Sequence, residues 1–583
     1  MPSRPLRSIA ALLFCLFAAP RAQSDRFFQP TEGFTRAKDL PEDFAATVRS
    51  VQLDVKDAFE GSTAHSDAEQ YLFDVGNRLH WESNQGTIRR RLLFKEGDSL
   101  TKGLLLETEK NLRQEEFLAD AIIEVMPWKD GTAHVRVTTY DQWTTVPGVS
   151  LQRLGGEWIY WIGPVESNLL GTGQRLGFFL GHDQIRDTKW LDYANNAFTP
   201  QRLRLTTHAA LYQDRGSEKF YDGYSVLFSL SKPLESRTSR WSFSSSYSAD
   251  LISESVYFDA NDLPLLPDSV RPAFEGAFHT RTFFSKVATH DVNLSVTRSY
   301  GYRTKFNVSP AFDWRDRYND GAIAVGTRLQ PYAPLPLSAR APNERNDYLL
   351  GVNISVYQYD YKTVSNFRNL KWSETLETGW RLSTKVSMNQ EWMGAANGDM
   401  YLSHAAVYNN AWWNAIFFNS NASMRYFAGP DGLDDGLTTA ATELQWKPVP
   451  ITSSYLSVSW ANYFAAEKSQ QVLLGEDNGL NGFPSFYYAG QARLLIEAEQ
   501  RLFPSFEVGT VVPALAVFAN AGNTFKDYET FDPDKLHYSL GLGLRLGASK
   551  STQKVVNHIN LSWPVGEKEL SGPVFSIRAK KSL

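Results

Sequence analysis

The chain has 583 residues, with 59 lysines and arginines against 64 aspartates and glutamates, a formal charge of -5. That balance argues against a nucleic-acid binder, whose footprint is basic. Its single cysteine, Cys15, excludes a disulfide framework and cysteine-based metal sites or nucleophiles in any mature form that lacks the leader.

The opening stretch MPSRPLRSIAALLFCLFAAPRAQS places Arg4 and Arg7 before an apolar run from Ile9 to Ala19, with small residues around Ala22. This is the layout of a secretory signal peptide over residues 1–22, so export is expected, with loss of Cys15. Removing Arg4, Arg7 and Arg21 takes the formal charge to about -8. The apolar run is too short for a spanning helix, which needs about 20 residues. The best later candidate, VVPALAVFA from Val511, is short and holds Pro513. Residues 23–46 show no strong period and read as a linker.

Residues 47–144 mix strand and helix signals. TVRSVQLDV alternates like a strand, TIRRRLLF fits a short amphipathic helical turn, and TKGLLLETEKNLRQEEF fits a longer helix. In that helix Thr101 is the expected N-cap. Leu105, Thr108 and Leu112 share a face, and Glu109 is one turn from Arg113. DAIIEVMPW and AHVRVTTYD follow as strands joined through Asp130-Gly131, a strong hairpin signal. The expectation is a small β-α-α-β-β module.

From residue 145 to 583 the helical period disappears. Leu203, Leu205, Thr207, Ala209 and Leu211 alternate with Arg202, Arg204, Thr206 and His208. Val292, Leu294 and Val296 oppose Asn293, Ser295 and Thr297, and Leu456, Val458 and Trp460 oppose Ser457 and Ser459. Alternation alone also fits a soluble β-sandwich. Aromatic content of 13% beside a mean hydropathy of -0.35 favours a membrane β-barrel, apolar outside and polar inside. The expected fold is mainly β: a C-terminal transmembrane antiparallel barrel of about 16 strands behind a small α+β domain.

Three stretches carry a family resemblance. Residues 77–148, from NRLHWESNQG to TTYDQWTTVPG, resemble a polypeptide-transport-associated (POTRA) domain. GPVESNLLGTGQRLGFFLG resembles the first barrel strands of the BamA/TamA bacterial surface-antigen superfamily. LLGEDNGLNGFPSFYYAG, then QARLLIEAEQRLF, VFANAGNTF and LGLGLRLG, resemble that superfamily's last strands.

The resemblance implies a loop folded back into the lumen, presenting an Arg-Gly-Phe/Tyr tripeptide whose arginine grips acidic groups on the wall. The matching residues here are Asn481, Gly482 and Phe483. Asparagine can hydrogen-bond but cannot form a bidentate charged pair, so the lock is expected to be weaker or differently wired. An exposed hairpin loop is the plainer alternative. Glu499 and Arg501 stand at i and i+2 on one strand face and are candidate lumen charges. In the closing segment PVFSIRAKKSL, Phe575 and Ile577 alternate with Ser576 and Arg578. The chain ends on Leu583 where many such barrels end on an aromatic, so Phe575 is the candidate recognition residue.

Nothing in the sequence points to catalysis. GTGQRLG and GLGLRLG lack dinucleotide spacing, there is no nucleophile elbow or zinc-binding helix, and the ten histidines are scattered. GPDGLDDG lacks the spacing of a calcium loop, and His80 reads as structural. No cofactor, metal or nucleic acid is expected, and the chain is read as a non-enzyme. The resemblance implies a bacterial outer-membrane protein with its N-terminal domain in the periplasm, surrounded by outer-membrane lipids. It implies assistance to unfolded outer-membrane or secreted protein clients, with accessory periplasmic or lipoprotein partners. A passive pore or structural barrel, and an outer-membrane hydrolase, are the alternatives.

Overall fold

The computed structural model describes residues 32–57 and 81–581, apart from single positions and internal segments of which the longest are 215–218, 258–280, 320–323, 335–344, 366–372, 504–510 and 549–554. The expected signal peptide, the first part of the expected linker, Cys15 and His80 lie outside the described residues.

The N-terminal module contains β1 (Thr35–Arg36), β2 (Ala45–Lys56), α1 (Gln85–Arg89), β3 (Ser99–Thr101), α2 (Lys102–Arg113), β4 (Leu118–Pro127) and β5 (Thr132–Asp141). Its sheet runs β1-β4-β5-β2-β3. Among the described residues only β2 and β5 pair in parallel, and a parallel pair needs a long crossover, which the segment holding α1 and α2 spans. Leu105 and Leu112 of α2 are fully buried against Ile123, Val125, Val135 and Val137 of the sheet.

Local chemistry sets the boundaries of these elements. Thr101 caps α2, its side chain accepting from the Leu104 N–H at 3.3 Å. Gly131, at φ +76, permits the β4–β5 turn, and Thr132 donates to the Asp130 carboxylate from both N–H and Oγ1. The stretch read as linker is different in its second half. β1 pairs with β4 through Thr35↔Val125 and Arg36↔Glu124, and Ala37 and Leu40 are buried in the module core. A two-residue strand is too short to show a period, which is why the pattern missed it.

Behind the module the chain forms a closed barrel starting with the strand Thr145–Leu154 and ending with Val574–Lys581. Among the described residues twenty antiparallel strands build the wall. Two further short strands, Ala324–Thr327 and Gln330–Pro334, form a hairpin to one side, since Thr304–Asn319 pairs directly with Arg345–Ser365. The expected figure of about 16 is therefore too low. Many turns between strands are only a few residues long, as between Leu154 and Glu157, so the same chain length holds more strands.

The direction of the alternation decides between a sandwich and a membrane barrel. In a sandwich the apolar face would be the buried one. Here Leu294, Val296, Leu456, Val458 and Leu515 are all exposed on the outside of a closed wall, at 38–55% of their surface. Their neighbours on the other face, such as Ser457, Asn520 and Ala516, are buried toward the lumen. An apolar exterior on a sheet without free edges is the arrangement that lipid requires.

The module is fixed to one end of this barrel. Asn168, fully buried in the second turn of the wall, donates from Nδ2 to the Trp81 carbonyl at 2.7 Å and accepts from the Gly173 N–H at 2.8 Å. Thr87 Oγ1 of α1 donates to the Gly171 carbonyl at 3.0 Å, and Arg91 Nη2 to the Gly173 carbonyl at 3.2 Å. Gly171 and Gly173 have positive φ, and a Cβ on Gly171 would sit 2.2 Å from the Glu82 carbonyl oxygen. The turn 167–173 is therefore shaped to receive the module.

Candidate functional site: lumen loop, charged wall and seam

The loop between the strands Thr452–Phe464 and Ala492–Leu502 leaves the barrel at the end away from the module and packs inside the wall. Its apolar half is a small core: Leu474, Leu480, Phe483 and Tyr488 are buried against Leu495. The Phe483 ring lies 5.8 Å from that of Tyr488 and 6.2 Å from His537, whose imidazole stacks on Tyr488 at 4.2 Å. Burial of these side chains supplies the apolar driving force that holds an otherwise glycine-rich loop in the lumen.

The loop's polar contacts orient it. Asn481 Nδ2 donates to Asn520 Oδ1 at 3.2 Å, and Asn520 Nδ2 donates to the Gly479 carbonyl at 2.9 Å. Gly482 has φ +87, and a Cβ there would lie 3.1 Å from Ser562 Cβ and 3.3 Å from Pro564 Cδ. The positive φ favours glycine, and the close wall leaves little room for a side chain. Asp477 accepts from the Phe486 N–H at 3.0 Å, closing the loop on itself. The Phe486 ring meets Tyr257 at 4.9 Å, and Gln471 exchanges two hydrogen bonds with the Tyr257 backbone.

Glu499 and Arg501 both face the lumen, where they form an ion pair. They do not meet Asn481 through a hydrogen bond. Glu499 instead holds Arg545, which lies 46 residues on and is only 1% exposed: Nη2 to Oε2 is 2.6 Å and Nε to Oε1 is 3.2 Å. Arg545 Nη1 continues to Asn560 Oδ1 at 2.7 Å. Such a two-pronged pair is the strong form of carboxylate recognition. Sequence reasoning missed Arg545 because nothing local distinguishes an inward arginine from an outward one without a register.

Below the loop, on the module side, lies a cavity of about 400 Å³ lined by Asn481, Glu499, Arg501 and Arg545 and, from nearby wall strands, by Asn419 and Glu443. The arrangement is a wall of fixed charges under an apolar plug. Among the described residues no cluster of His, Cys, Asp and Glu could hold a metal ion.

The closing strand carries the third feature. Phe575 points outward, while Ser576 is buried and Arg578 lines the cavity. Arg578 Nη2 donates to the Asp477 carbonyl of the loop. On one side this strand pairs with Val555–Val565 through eight positions. On the other, among the described residues, it meets Thr145–Leu154 at one register position, Ile577↔Arg153, supported by a 3.1 Å bond from Arg153 Nη1 to the Phe575 carbonyl. Every other pair of neighbouring wall strands shares five or more.

Three solved structures align with most of the chain at low similarity. CdiB from Acinetobacter baumannii has 10% identity and a TM-score of 0.42, over 98% of this chain and 96% of that one. CdiB from Escherichia coli has 11% identity and a TM-score of 0.40, covering 99% of each chain. BamA from Haemophilus ducreyi lacking POTRA domains 1–3 has 10% identity and a TM-score of 0.38, over 92% and 84%. No family model and no curated protein matches the chain.

Proposed function

We propose that this chain is a bacterial outer-membrane barrel that assists the insertion of proteins into that membrane, or their passage across it, with the N-terminal module receiving the client in the periplasm. The seam is the observation that carries this reading. Unpaired backbone groups facing lipid cost several kcal/mol each, so a barrel normally closes along the full length of its strands. In this reading a closure that, among the described residues, shares the single register position Ile577↔Arg153 opens at lower cost than the other lines in the wall. Once open, it presents two strand edges to which a client strand can add by backbone hydrogen bonds.

Two further features favour this over a passive pore. The lumen is filled by an apolar-cored loop, which suits a gated channel better than a free one. Among the described residues the module also has a sheet edge that no strand covers along its full length. β3 covers β2 only at Ala45, Ala46 and Thr47, and among the described residues no strand pairs with the outer side of Gln52–Lys56. In this reading that edge is where an extended client docks with little demand on its sequence. The family's POTRA role and its Arg-Gly-Phe/Tyr role are carried to this module and to Asn481, Gly482 and Phe483 as part of the same proposal.

A disulfide across the seam tests it. Antiparallel partners have Cα atoms near the separation a disulfide needs, about 5.5 Å. Arg153→Cys combined with Ile577→Cys should lock the barrel when oxidised. Quantitative proteomics of outer-membrane and secreted fractions should then show loss of particular proteins at unchanged transcript levels, restored by reductant. A locked barrel that supports an unchanged proteome in cells dependent on it would sink the reading and favour a passive pore.

A further inference from the structure

The lumen cavity has a floor that the loop does not supply. The strands Arg345–Ser365 and Ser373–Asn389 stay paired with each other from Leu349↔Asn389 to Ser365↔Ser373. They lose their outer neighbours sooner. Thr304–Asn319 pairs as far as Thr304↔Gln358, and Met400–Trp412 as far as Asn409↔Gly379.

Beyond those positions the pair leaves its neighbours' ladders, and Leu376, Glu377 and Thr378 come to line the lumen cavity. Gly379 has φ +133, and a Cβ on it would fall 2.0 Å from the Gln358 carbonyl oxygen, so only glycine fits there. Leu376 packs on Ala411 and Phe417, both buried. Lys362 Nζ donates to the Ala411 carbonyl, and Thr378 Oγ1 to the Asp360 carbonyl at 3.3 Å. Leu376, Glu377 and Thr378 line the module side of the cavity.

The same segment is tied to the module. Arg237, in the turn after Gly223–Lys232, donates from Nη2 to the Tyr359 carbonyl at 3.4 Å. Its backbone N–H donates to Glu107 Oε1 of α2 at 3.0 Å, and its carbonyl accepts from Lys305 Nζ at 2.5 Å. One residue thus touches the helix of the module and the strand pair.

We propose that the shelf formed by Leu376, Glu377 and Thr378 is a movable floor of the lumen cavity, positioned by the module through Arg237. Away from the seam, wall strands are held by ladders on both sides. Among the described residues the shelf keeps its ladder to Asp360, Tyr361 and Lys362, has no ladder to Met400–Trp412, and packs through Leu376 on Ala411 and Phe417, which places it at the low-stability end of the fold. A shift of α2 changes what Arg237 can hold, and with it the opening from the module side into the cavity. The floor follows from the fold alone; its control by a client rests on the function proposed above.

The experiment uses the full chain carrying Asn419→Cys, a reporter on the cavity wall, and measures its rate of modification by a bulky maleimide, with the chain lacking the reporter as background. Leu376→Ala and, separately, Arg237→Ala should each speed labelling roughly fivefold, the ratio that loss of about one kcal/mol of holding energy gives. Unheated gel mobility reports an intact barrel. Where an alanine variant fails that check, Leu376→Val and Arg237→Lys replace it. Unchanged labelling in the Leu376 variant overturns the floor, and unchanged labelling in the Arg237 variant overturns its link to the module. Neither readout involves a client, so failure of the seam experiment and failure of this one are told apart.

Discussion

Asn481 and Asn520 are joined side chain to side chain at 3.2 Å, so the lumen loop is fastened to the wall by a neutral amide pair. Such a neutral bond contributes about 1 kcal/mol, beside the bond from the Arg578 guanidinium to the Asp477 carbonyl of the same loop. An acidic group is nonetheless close by: a Cβ on Gly479 would lie 3.2 Å from Glu497 Oε1.

Asn481→Arg is therefore expected to tighten the loop, because Glu497 lines the same cavity as Asn481 and charge-assisted bonds are roughly twice as strong as neutral ones. Single-channel recordings should show a lower open probability than the parent chain. Adding Glu497→Gln should abolish the difference. Equal open probability in parent and Asn481→Arg would mean that residue 481 does not limit loop release.

Arg545 is nearly inaccessible and depends on Glu499 for its charge partner. Removing the carboxylate by Glu499→Gln leaves a buried cation uncompensated, at an expected cost of about 3 kcal/mol. The double variant Glu499→Gln, Arg545→Met should recover a large part of that loss. Urea unfolding of the barrel in detergent or lipid measures both. Additive losses in the double variant would show that the two side chains do not act as a pair.

In the module, burial pushes the Glu109 carboxyl above the usual carboxylate range, only partly countered by Arg113 at 2.6 Å and by the Ile123 N–H at 3.1 Å. The folded state then holds the proton more tightly than the unfolded chain, whose glutamate titrates at about 4.3. The resulting stabilisation is complete below that value and is lost as the pH rises through the folded one. Amide exchange of α2 and β4, corrected for intrinsic rates, should show weaker protection at neutral than at mildly acid pH. Glu109→Gln should flatten that slope. The same slope in both chains would assign it to another group.

Much of the local structure was legible from the residues alone. Thr101 as cap of α2, Glu109 beside Arg113, the turn at Asp130-Gly131 and the two-residue alternation of the wall all depend on neighbours within a few positions, and sequence carries that information directly. Alternation also put Glu499 and Arg501 on one face, which holds for any strand.

Tertiary structure decided what depends on partners far away in the chain. Alternation states that two faces differ but not which one meets lipid; closure of the sheet puts Leu294 and Leu456 outside and Asn520 inside. Counting strands requires knowing where the short turns fall, and Glu499 finds Arg545 only through the register of three adjacent strands. The thin seam at Ile577↔Arg153 joins residues 424 positions apart and follows from how the last strand meets the first once all the others have paired, a property of the whole ring that no local pattern encodes.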